Sequence, residues 1–354
     1  MALCWKSKYL FFFILPTYLL FHCDFTFSLD REECLKYLGE AFIRHVNPST
    51  ADSPTYENEY IHHVSASILV KDKRLSAILH SGAILNQHQT ATGVTPSYSM
   101  NDRLNLETDW LNNTLNTSMK KIPKDFLPKY GLLEYDIKPG KGESNAPPVD
   151  EDTTTLYGAI QLFLKKTVFP RISYTLGDSL DQREKMHALH DLSELTKLQM
   201  GDPDDPSSMA NQNLGYIEIQ AWGPITLSDI DRVEIFVDSM AEKDIRKAID
   251  PSTLDYLLKQ TDLPVVFKTR KGETKTQKGT GKAKSDKPEV LTTSKEELTA
   301  FFDDLLKKNL FDPTIRSMIE RCKNDGVLDV VTLASEVNHL VRSFGSNLTP
   351  CQSP

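Results

Sequence analysis

Long hydrophobic runs are almost absent from this 354-residue sequence, and the clearest one lies at its N-terminus. Residues 10–21 are nearly all apolar, a stretch much shorter than the roughly 20 residues that a bilayer-spanning helix needs. Two lysines precede it, and the small residues Thr26 and Ser28 follow at the spacing that a signal peptidase reads. The pattern predicts a cleavable signal peptide over residues 1–28 and a secreted, extracellular protein without a later transmembrane segment. A short membrane anchor is the alternative.

Cysteine is also scarce: the chain has five, and Cys4 and Cys23 leave with the predicted signal peptide. The remaining Cys34, Cys322 and Cys351 are odd in number, which in an oxidising compartment predicts one disulfide bond and one leftover thiol. Cys34 with Cys322 and Cys322 with Cys351 are both allowed, because connectivity cannot be read from spacing. The sequence lacks CxxC pairs and Cys/His clusters, so it predicts no metal site.

Positive charge is in the minority, since 41 Lys and Arg against 49 Asp and Glu give a formal net charge of −8. This balance argues against a protein whose whole surface binds nucleic acid. The exception is residues 268–287, from Lys268 to Lys287, which are rich in lysine and almost free of apolar residues. They predict a basic disordered linker over residues 261–292, which serves either as a solvated tether or as a patch for a polyanion such as a glycosaminoglycan.

Three N-x-S/T sequons follow the predicted signal peptide, at Asn112, Asn116 and Asn347. In a secreted protein of a host that glycosylates, such asparagines are acceptors for surface glycans. The sequence therefore predicts a glycoprotein.

Hydrophobic periodicity switches between helical and strand spacing along residues 29–260, the predicted main domain. It predicts helices over residues 32–46, 107–119, 179–198 and within 238–258, and strands over residues 155–164, 171–176, 216–222 and 233–237. This mixture predicts an α+β fold with a mixed or antiparallel sheet core and flanking helices. A capping box at Ser294 and Glu297 opens a C-terminal module of three short helices over residues 293–345, followed by a tail over residues 346–354.

Common catalytic signatures are absent, among them the nucleophile elbow GxSxG, the zinc motif HExxH, the P-loop and the dinucleotide fingerprint GxGxxG. His62 and His63 are neighbours in a predicted strand, where adjacent side chains point to opposite faces, so at most one is expected in any single site. His187 and His190 lie three apart on a predicted helix, but no other ligand converges there, so surface histidines are expected.

Three segments carry the most information about function. The first reads Tyr-Gly-Ala-Ile from Tyr157, the second ends in Gly-Asp-Ser at Ser179, and the third reads Tyr-Ile-Glu-Ile-Gln-Ala-Trp-Gly-Pro from Tyr216. Taken in order, they resemble an uncharacterised and mostly bacterial family, domain of unknown function 3626, over about residues 60–240. The chain departs from that family at Trp222, where the family has histidine.

Glu218 and Gln220 lie two apart in the third segment, so in a strand both side chains face the same side. This arrangement resembles the Glu/Gln-x-Glu strand of ADP-ribosyltransferases, in which a carboxylate holds the nicotinamide ribose of NAD. The resemblance implies that the chain uses NAD, that Glu218 is the catalytic carboxylate, and that Gln220, Ser173 and Asp178 position the nucleotide. Arg103, in a fainter upstream likeness to the uncharacterised family, is the implied phosphate contact.

Two other interpretations stay open. In the first, Glu218 faces solvent on an antiparallel sheet, and Asp178 and Ser179 cap a following helix. In the second, the chain is a non-catalytic secreted interaction protein that binds an acidic partner through its basic linker.

Overall fold

The structure, a computed structural model, describes residues 31–46, 55–90, 100–114, 122–139, 157–177, 179, 186–200, 217–269, 272–281, 294–307, 316, 319–320 and 322. The helices are α1 (Arg31–Val46), α2 (Asp72–Ser81), α3 (Gln87–Thr90), α4 (Met100–Thr114), α5 (Ser193–Met200), α6 (Glu242–Ala248), α7 (Pro251–Gln260) and α8 (Lys295–Lys307). The strands are β1 (Ile61–Val70), β2 (Ala83–Ile84), β3 (Lys129–Ile137), β4 (Ile160–Leu164), β5 (Ile172–Leu176), β6 (His187–Ala188), β7 (Ile217–Ala221), β8 (Ile225–Thr226), β9 (Ile230–Val237), β10 (Pro264–Thr269) and β11 (Thr274–Lys278). Two short 3₁₀ helices span Lys166–Arg171 and Leu227–Asp229.

Nine strands form one sheet in the order β11-β10-β9-β4-β1-β3-β7-β5-β6, and β2 pairs with β8 in a small second sheet. Strands β9 and β10 are parallel, and the other neighbouring pairs in the large sheet are antiparallel. Helices α6 and α7 connect β9 to β10, since parallel strands cannot be joined by a tight hairpin. The predicted α+β class, with a mixed sheet and flanking helices, is confirmed.

Successive residues along a strand point to opposite sides, so the large sheet has an apolar face and an opposite face that is mostly polar but also holds Leu69, Leu132 and Phe163. On β7, Ile217, Ile219 and Ala221 are buried in the main hydrophobic core, as the sequence alternation predicts. Cross-strand pairing aligns the alternate residues on the opposite side, which we call the polar face: Ser67, Tyr130, Glu134, Gln161, Ser173, Thr175, Glu218, Gln220 and Glu234.

A second apolar cluster lies on the polar-face side of the sheet, around Trp222. Trp222 is fully buried, and its ring centroid lies 4.5 Å from that of Phe42 on α1 and 5.9 Å from that of Phe126. Phe301 on α8 joins the cluster through Phe126, with ring centroids 5.7 Å apart. The first predicted helix of the C-terminal module is therefore a cover on the main domain.

Cys34 on α1 and Cys322 form a disulfide bond, with their Cα atoms 5.6 Å apart. Of the two pairings that the sequence leaves open, the structure shows this one. Cys322 and Ile319 pack in the same cluster as α1 and α8, so the bond ties the C-terminal segment to the first helix of the main domain. Cys351 lies outside the described residues.

The predicted disordered linker over residues 261–292 is wrong for residues 264–269 and 274–278, which form strands. Strand β10 pairs in parallel with β9, and β11 pairs with β10 in a hairpin at the edge of the sheet. Val265 and Phe267 alternate along β10 and are fully buried, whereas Lys275 and Lys278 on β11 are exposed. The lysine-rich composition of the segment hides this short alternation, which is the actual folding signal.

The predicted helix over residues 179–198 also differs from the structure. Strand β6 takes up His187–Ala188 as an edge partner of β5, and α5 starts only at Ser193. His187 pairs with Tyr174, and their ring centroids lie 5.3 Å apart. Tertiary pairing with an existing sheet edge thus overrides the local helical periodicity.

The prediction that His62 and His63 point to opposite faces is wrong as well. The pairing of β1 with β3 shifts register between His62 and Ser65, and His63 adopts a left-handed conformation with φ of 51°. The bulge turns the two rings to the same side, where they stack with centroids 4.2 Å apart.

The structure describes only some of the residues on which the predictions about secretion depend. Asn112 lies half-buried on α4, whereas Asn116, Asn347 and the signal peptide lie outside the described residues. Across the described ranges, no helix combines the length and the apolar character that crossing a membrane requires.

Candidate active site

Strands β5 and β7 bring three of the predicted site residues together on the polar face. Ser173 is the cross-strand partner of Gln220, and Thr175 is the partner of Glu218. Paired residues in a sheet have their side chains about 5 Å apart on the same side. The grouping of Glu218, Gln220 and Ser173 that the sequence implies is therefore present.

A chain of hydrogen bonds fixes these side chains relative to one another. Ser173 Oγ donates to Gln220 Oε1 at 2.9 Å, and Gln220 Nε2 donates to Glu218 Oε1 at 3.1 Å. Trp222 Nε1 donates to Ser173 Oγ at 3.0 Å, and Gln220 Nε2 also lies 3.2 Å from Thr175 Oγ1. The chain therefore sets the orientation of the Gln220 amide and, through it, of the Glu218 carboxylate.

Burial separates the roles of these residues. Glu218 keeps 8% of its surface exposed, whereas Gln220 and Ser173 keep none. Gln220 and Ser173 thus position Glu218. Neither of them has exposed surface through which it could make the direct contact with a nucleotide that the resemblance implies. The alternative in which Glu218 is an ordinary solvent-facing residue is equally inconsistent with its burial.

The second predicted segment contributes a backbone group. The Ser179 amide nitrogen donates to Glu218 Oε1 at 3.3 Å, so this residue contacts the carboxylate. Residues 180–185, where the helix of the capping alternative would begin, lie outside the described residues. Asp178 lies outside the described residues. Arg103 lies on α4, and the structure does not describe its side chain.

Sequence reasoning missed a second polar group beside the first, formed by His88, Glu107 and Tyr130. His88 Nε2 lies 2.7 Å from Glu107 Oε2, and both side chains are 3% exposed. Tyr130 donates to Glu107 Oε1 at 2.7 Å and is the cross-strand partner of Gln220. The polar face therefore holds a histidine–carboxylate pair one strand away from the Glu218 chain. Gln89, next to His88, begins the Gln-Thr-Ala-Thr-Gly segment over residues 89–93, which is part of the faint upstream likeness and was the one available signal.

Asn86 caps the N-terminus of helix α3 and fixes its position. Asn86 Oδ1 accepts from the backbone nitrogens of His88 at 3.0 Å and Gln89 at 3.1 Å. The Asn86 amide in turn donates to the carbonyl oxygens of Lys124 at 2.6 Å and Leu127 at 3.1 Å. This double attachment anchors His88 next to the start of β3.

Lys129, at the start of β3, is buried next to the loop that Asn86 also contacts. Its ammonium donates to the carbonyl oxygens of Gly223 at 2.7 Å, Asp125 at 3.1 Å and Leu127 at 3.4 Å. It thereby ties the loop before β3 to the turn after β7. Burial, with help from the nearby Arg171 charge, lowers the pKa of Lys129 to about 7, and the carboxylates of Asp125 and Glu107 oppose the shift.

We expect Lys129 to make the free energy of unfolding rise by about 2 kcal/mol between about pH 7 and 9. Its folded-state pKa of about 7 lies below its ordinary value of 10.5, so over this window the unfolded chain binds more protons and stability grows with pH. Urea unfolding at several pH values measures the slope. Lys129→Met should flatten it, and Lys259→Met, at a lysine whose side chain is 65% exposed, should leave it unchanged. Equal slopes in wild type and Lys129→Met would contradict the assignment.

The first of the three segments has a structural explanation. Gly158 adopts a φ of +122°, and a Cβ atom there would lie 2.2 Å from the carbonyl oxygen of Val70 at the end of β1. A glycine is required at this position by the backbone alone. The Tyr-Gly-Ala segment therefore supports the fold, whereas the second and third segments supply the polar group.

Trp222 also has a packing role that explains its identity. Its ring fills the centre of the second apolar cluster, and its Nε1 holds Ser173. The chain thus keeps an N–H donor where the resembled family has histidine, but it lacks a titratable group there.

No protein-family model matches the chain, and no curated protein matches it significantly. The resemblance of the three segments to domain of unknown function 3626 therefore stays a prediction.

Proposed function

We propose that the chain is a secreted enzyme that breaks the bond between nicotinamide and ribose in NAD, as ADP-ribosyltransferases do, with Glu218 as its catalytic carboxylate. The observation that carries the proposal is the hydrogen-bond chain from Ser173 through Gln220 to Glu218. It holds the carboxylate of Glu218, which keeps 8% of its surface exposed, in a fixed orientation on a buried strand. Such preorganisation is what stabilisation of a developing positive charge requires.

The chemistry of the polar face suits a ribose. A carboxylate accepts hydrogen bonds from sugar hydroxyls, and its negative charge stabilises an oxocarbenium-like ribose. Described polar groups nearby include the Tyr130 hydroxyl and the His88–Glu107 pair. NAD is the substrate in this proposal, so no resident cofactor is needed.

The reaction would proceed as follows. The C1′–N bond of the nicotinamide ribose breaks, nicotinamide leaves with the bonding electrons, and Glu218 stabilises the positive charge that develops on the ribose. Water or an acceptor side chain then forms the new bond to C1′. His88, held by Glu107, is the candidate base for the proton that the nucleophile loses.

The test measures nicotinamide release and transfer of labelled ADP-ribose by the purified mature protein. Glu218→Gln keeps the shape and hydrogen-bonding capacity of the side chain but removes its charge. We expect it to lower kcat by about 100-fold or more, the usual loss when a stabiliser of transition-state charge is removed.

Glu234→Gln is the matched control for this experiment. Glu234 lies on the same polar face, on β9, four strands away from β7, and is also 8% exposed. Its variant should keep activity close to that of the wild type. Equal turnover by Glu218→Gln and wild type, or no turnover of NAD by folded wild type, would reject the proposal.

Binding of a polyanion through residues 268–287 stays a prediction. Within the described part of this segment, Lys275 and Lys278 lie on the edge strand β11, where lysines commonly hinder pairing with another chain. Lys268 lies 3.8 Å from the Glu234 carboxylate and is therefore partly neutralised. No contact described here favours this second function over the first.

A further inference from the structure

Three side chains with metal-binding atoms meet at the start of β1, away from the Glu218 group. His62 is the cross-strand partner of Asp136 on β3, and the bulge turns His63 to the same side. His63 Nδ1 lies 3.0 Å from Asp136 Oδ2. One ligand atom from each of the three residues lies within 4.8 Å of the others.

The backbone conformation that makes this grouping is an unusual one. His63 has a φ of 51°, and within the described residues it is the one non-glycine residue with a positive φ. A left-handed conformation costs free energy in any residue with a Cβ atom, although histidine tolerates it better than most. Without the bulge the two rings would lie on opposite faces of the strand, so the strained residue is the cause of the cluster.

The cluster is accessible from solvent. The side chains of His63 and Asp136 are 70% and 51% exposed, and that of His62 is half-buried. Ligand atoms around a tetrahedral zinc ion lie about 3.3 Å apart. The three atoms lie within 4.8 Å of one another, and the exposed side chains of His63 and Asp136 have room to rotate toward that distance.

The donor set selects the class of ion. Two imidazoles and one carboxylate suit borderline divalent transition metals, above all Zn²⁺ and Cu²⁺. Ca²⁺ and Mg²⁺ prefer sites made wholly of oxygen atoms. Three protein ligands leave a fourth position of a tetrahedral ion open to water or to a ligand from another molecule.

We propose that His62, His63 and Asp136 form a binding site for a divalent transition-metal ion, represented by Zn²⁺. The sequence predicts no metal site because it lacks CxxC pairs and Cys/His clusters, and it allows at most one of the two histidines in any single site. The bulge overturns the second expectation by turning both rings to the same side. The site shares no residue with the Glu218 group, so it stands independently of the proposed NAD chemistry.

The test is calorimetric titration of Zn²⁺ into untagged, metal-stripped mature protein, with Ca²⁺ as the second probe. We expect one Zn²⁺ per chain with micromolar affinity and no heat of binding from Ca²⁺ at the same concentration. Asp136→Asn and His62→Ala should each weaken Zn²⁺ binding by about tenfold or more, since each removes one of three ligands.

His63→Gly provides a second measurement, the Tm, which distinguishes the loss of a ligand from misfolding of the variant. Glycine adopts positive φ without strain, so this variant should have a higher Tm than the wild type in the absence of metal and yet lose Zn²⁺ binding. His80→Ala is the matched control, since His80 is an exposed histidine on α2 outside the cluster. Unchanged Zn²⁺ affinity in His63→Gly, equal loss in His80→Ala, or no Zn²⁺ binding by wild type would overturn the proposal.

Discussion

Replacing Arg171 by leucine is expected to lower the free energy of unfolding by about 3–5 kcal/mol, because two buried carbonyl oxygens lose a charged hydrogen-bond donor. Arg171 is 2% exposed, and its guanidinium donates to the carbonyl oxygens of Trp222 and Pro224, each at 2.7 Å. It also lies 3.4 Å from the Asp229 carboxylate. Leucine leaves both buried carbonyl oxygens without this donor, whereas the Asp229 carboxylate keeps Lys36 at 3.2 Å.

The change from Arg171 to leucine should also disturb the candidate active site. The Trp222 amide nitrogen donates to the Arg171 carbonyl at 3.0 Å, so Arg171 and Trp222 bind each other through both backbone and side chain. Trp222 in turn holds Ser173, the first member of the chain that orients Glu218. We therefore expect Arg171→Leu to weaken NAD turnover as well, beyond its effect on the folded fraction.

Urea unfolding at fixed pH measures the stability change, and two variants sharpen its interpretation. Arg246→Leu removes an arginine whose side chain is 62% exposed and pairs with Glu242 one helical turn away, so it should cost about 0.5 kcal/mol or less. Arg171→Lys keeps the charge but cannot span two carbonyls and a carboxylate with one planar fork, so its loss should be intermediate. A loss in Arg171→Leu as small as in Arg246→Leu would show that the buried guanidinium is not required.

The strands of the main core could be predicted because their signal is local. The alternation of Ile217, Ile219 and Ala221 with Glu218 and Gln220 shows both the strand and its buried face. The same rule predicts that Glu218 and Gln220 share a side. The pairing of β7 with β5, which places Ser173 beside Gln220, was not predicted, because the resemblance implied only that Ser173 belongs to the same site.

The remaining parts of the site depend on contacts between segments far apart in sequence. His88 and Glu107 reach Tyr130 because α3, α4 and β3 converge, and no spacing along the chain encodes that convergence. The bulge at His63 could not be predicted from the sequence either, because an ordinary strand pattern surrounds it. Composition misled in the opposite direction at β10, because the lysine-rich residues that follow led the sequence analysis to assign Val265 and Phe267 to the linker.

Removing the Cys34–Cys322 bond by a double change to alanine should lower the free energy of unfolding by about 2–5 kcal/mol. The bond joins residues 288 positions apart, so it restricts the unfolded chain strongly, and loop-closure entropy grows with that separation. It also fixes the C-terminal segment against α1, where Cys34 and Cys322 are both buried. Urea unfolding with and without a thiol reductant measures the effect: the reductant should destabilise the wild type and leave the double variant unchanged.

Single cysteine variants separate this bond from the other pairing that the sequence allows. If Cys34 and Cys322 are bonded, Cys34→Ala should be as unstable as Cys322→Ala, and Cys351→Ala should match the wild type, because Cys351 then carries the leftover thiol. If Cys322 bonds to Cys351 instead, Cys351→Ala loses the bond and Cys34→Ala keeps it. That second loop is far shorter, so its removal should cost less, since the entropy of closure depends on the logarithm of loop length. A Cys351→Ala variant less stable than Cys34→Ala would therefore contradict the bond between α1 and the C-terminal segment.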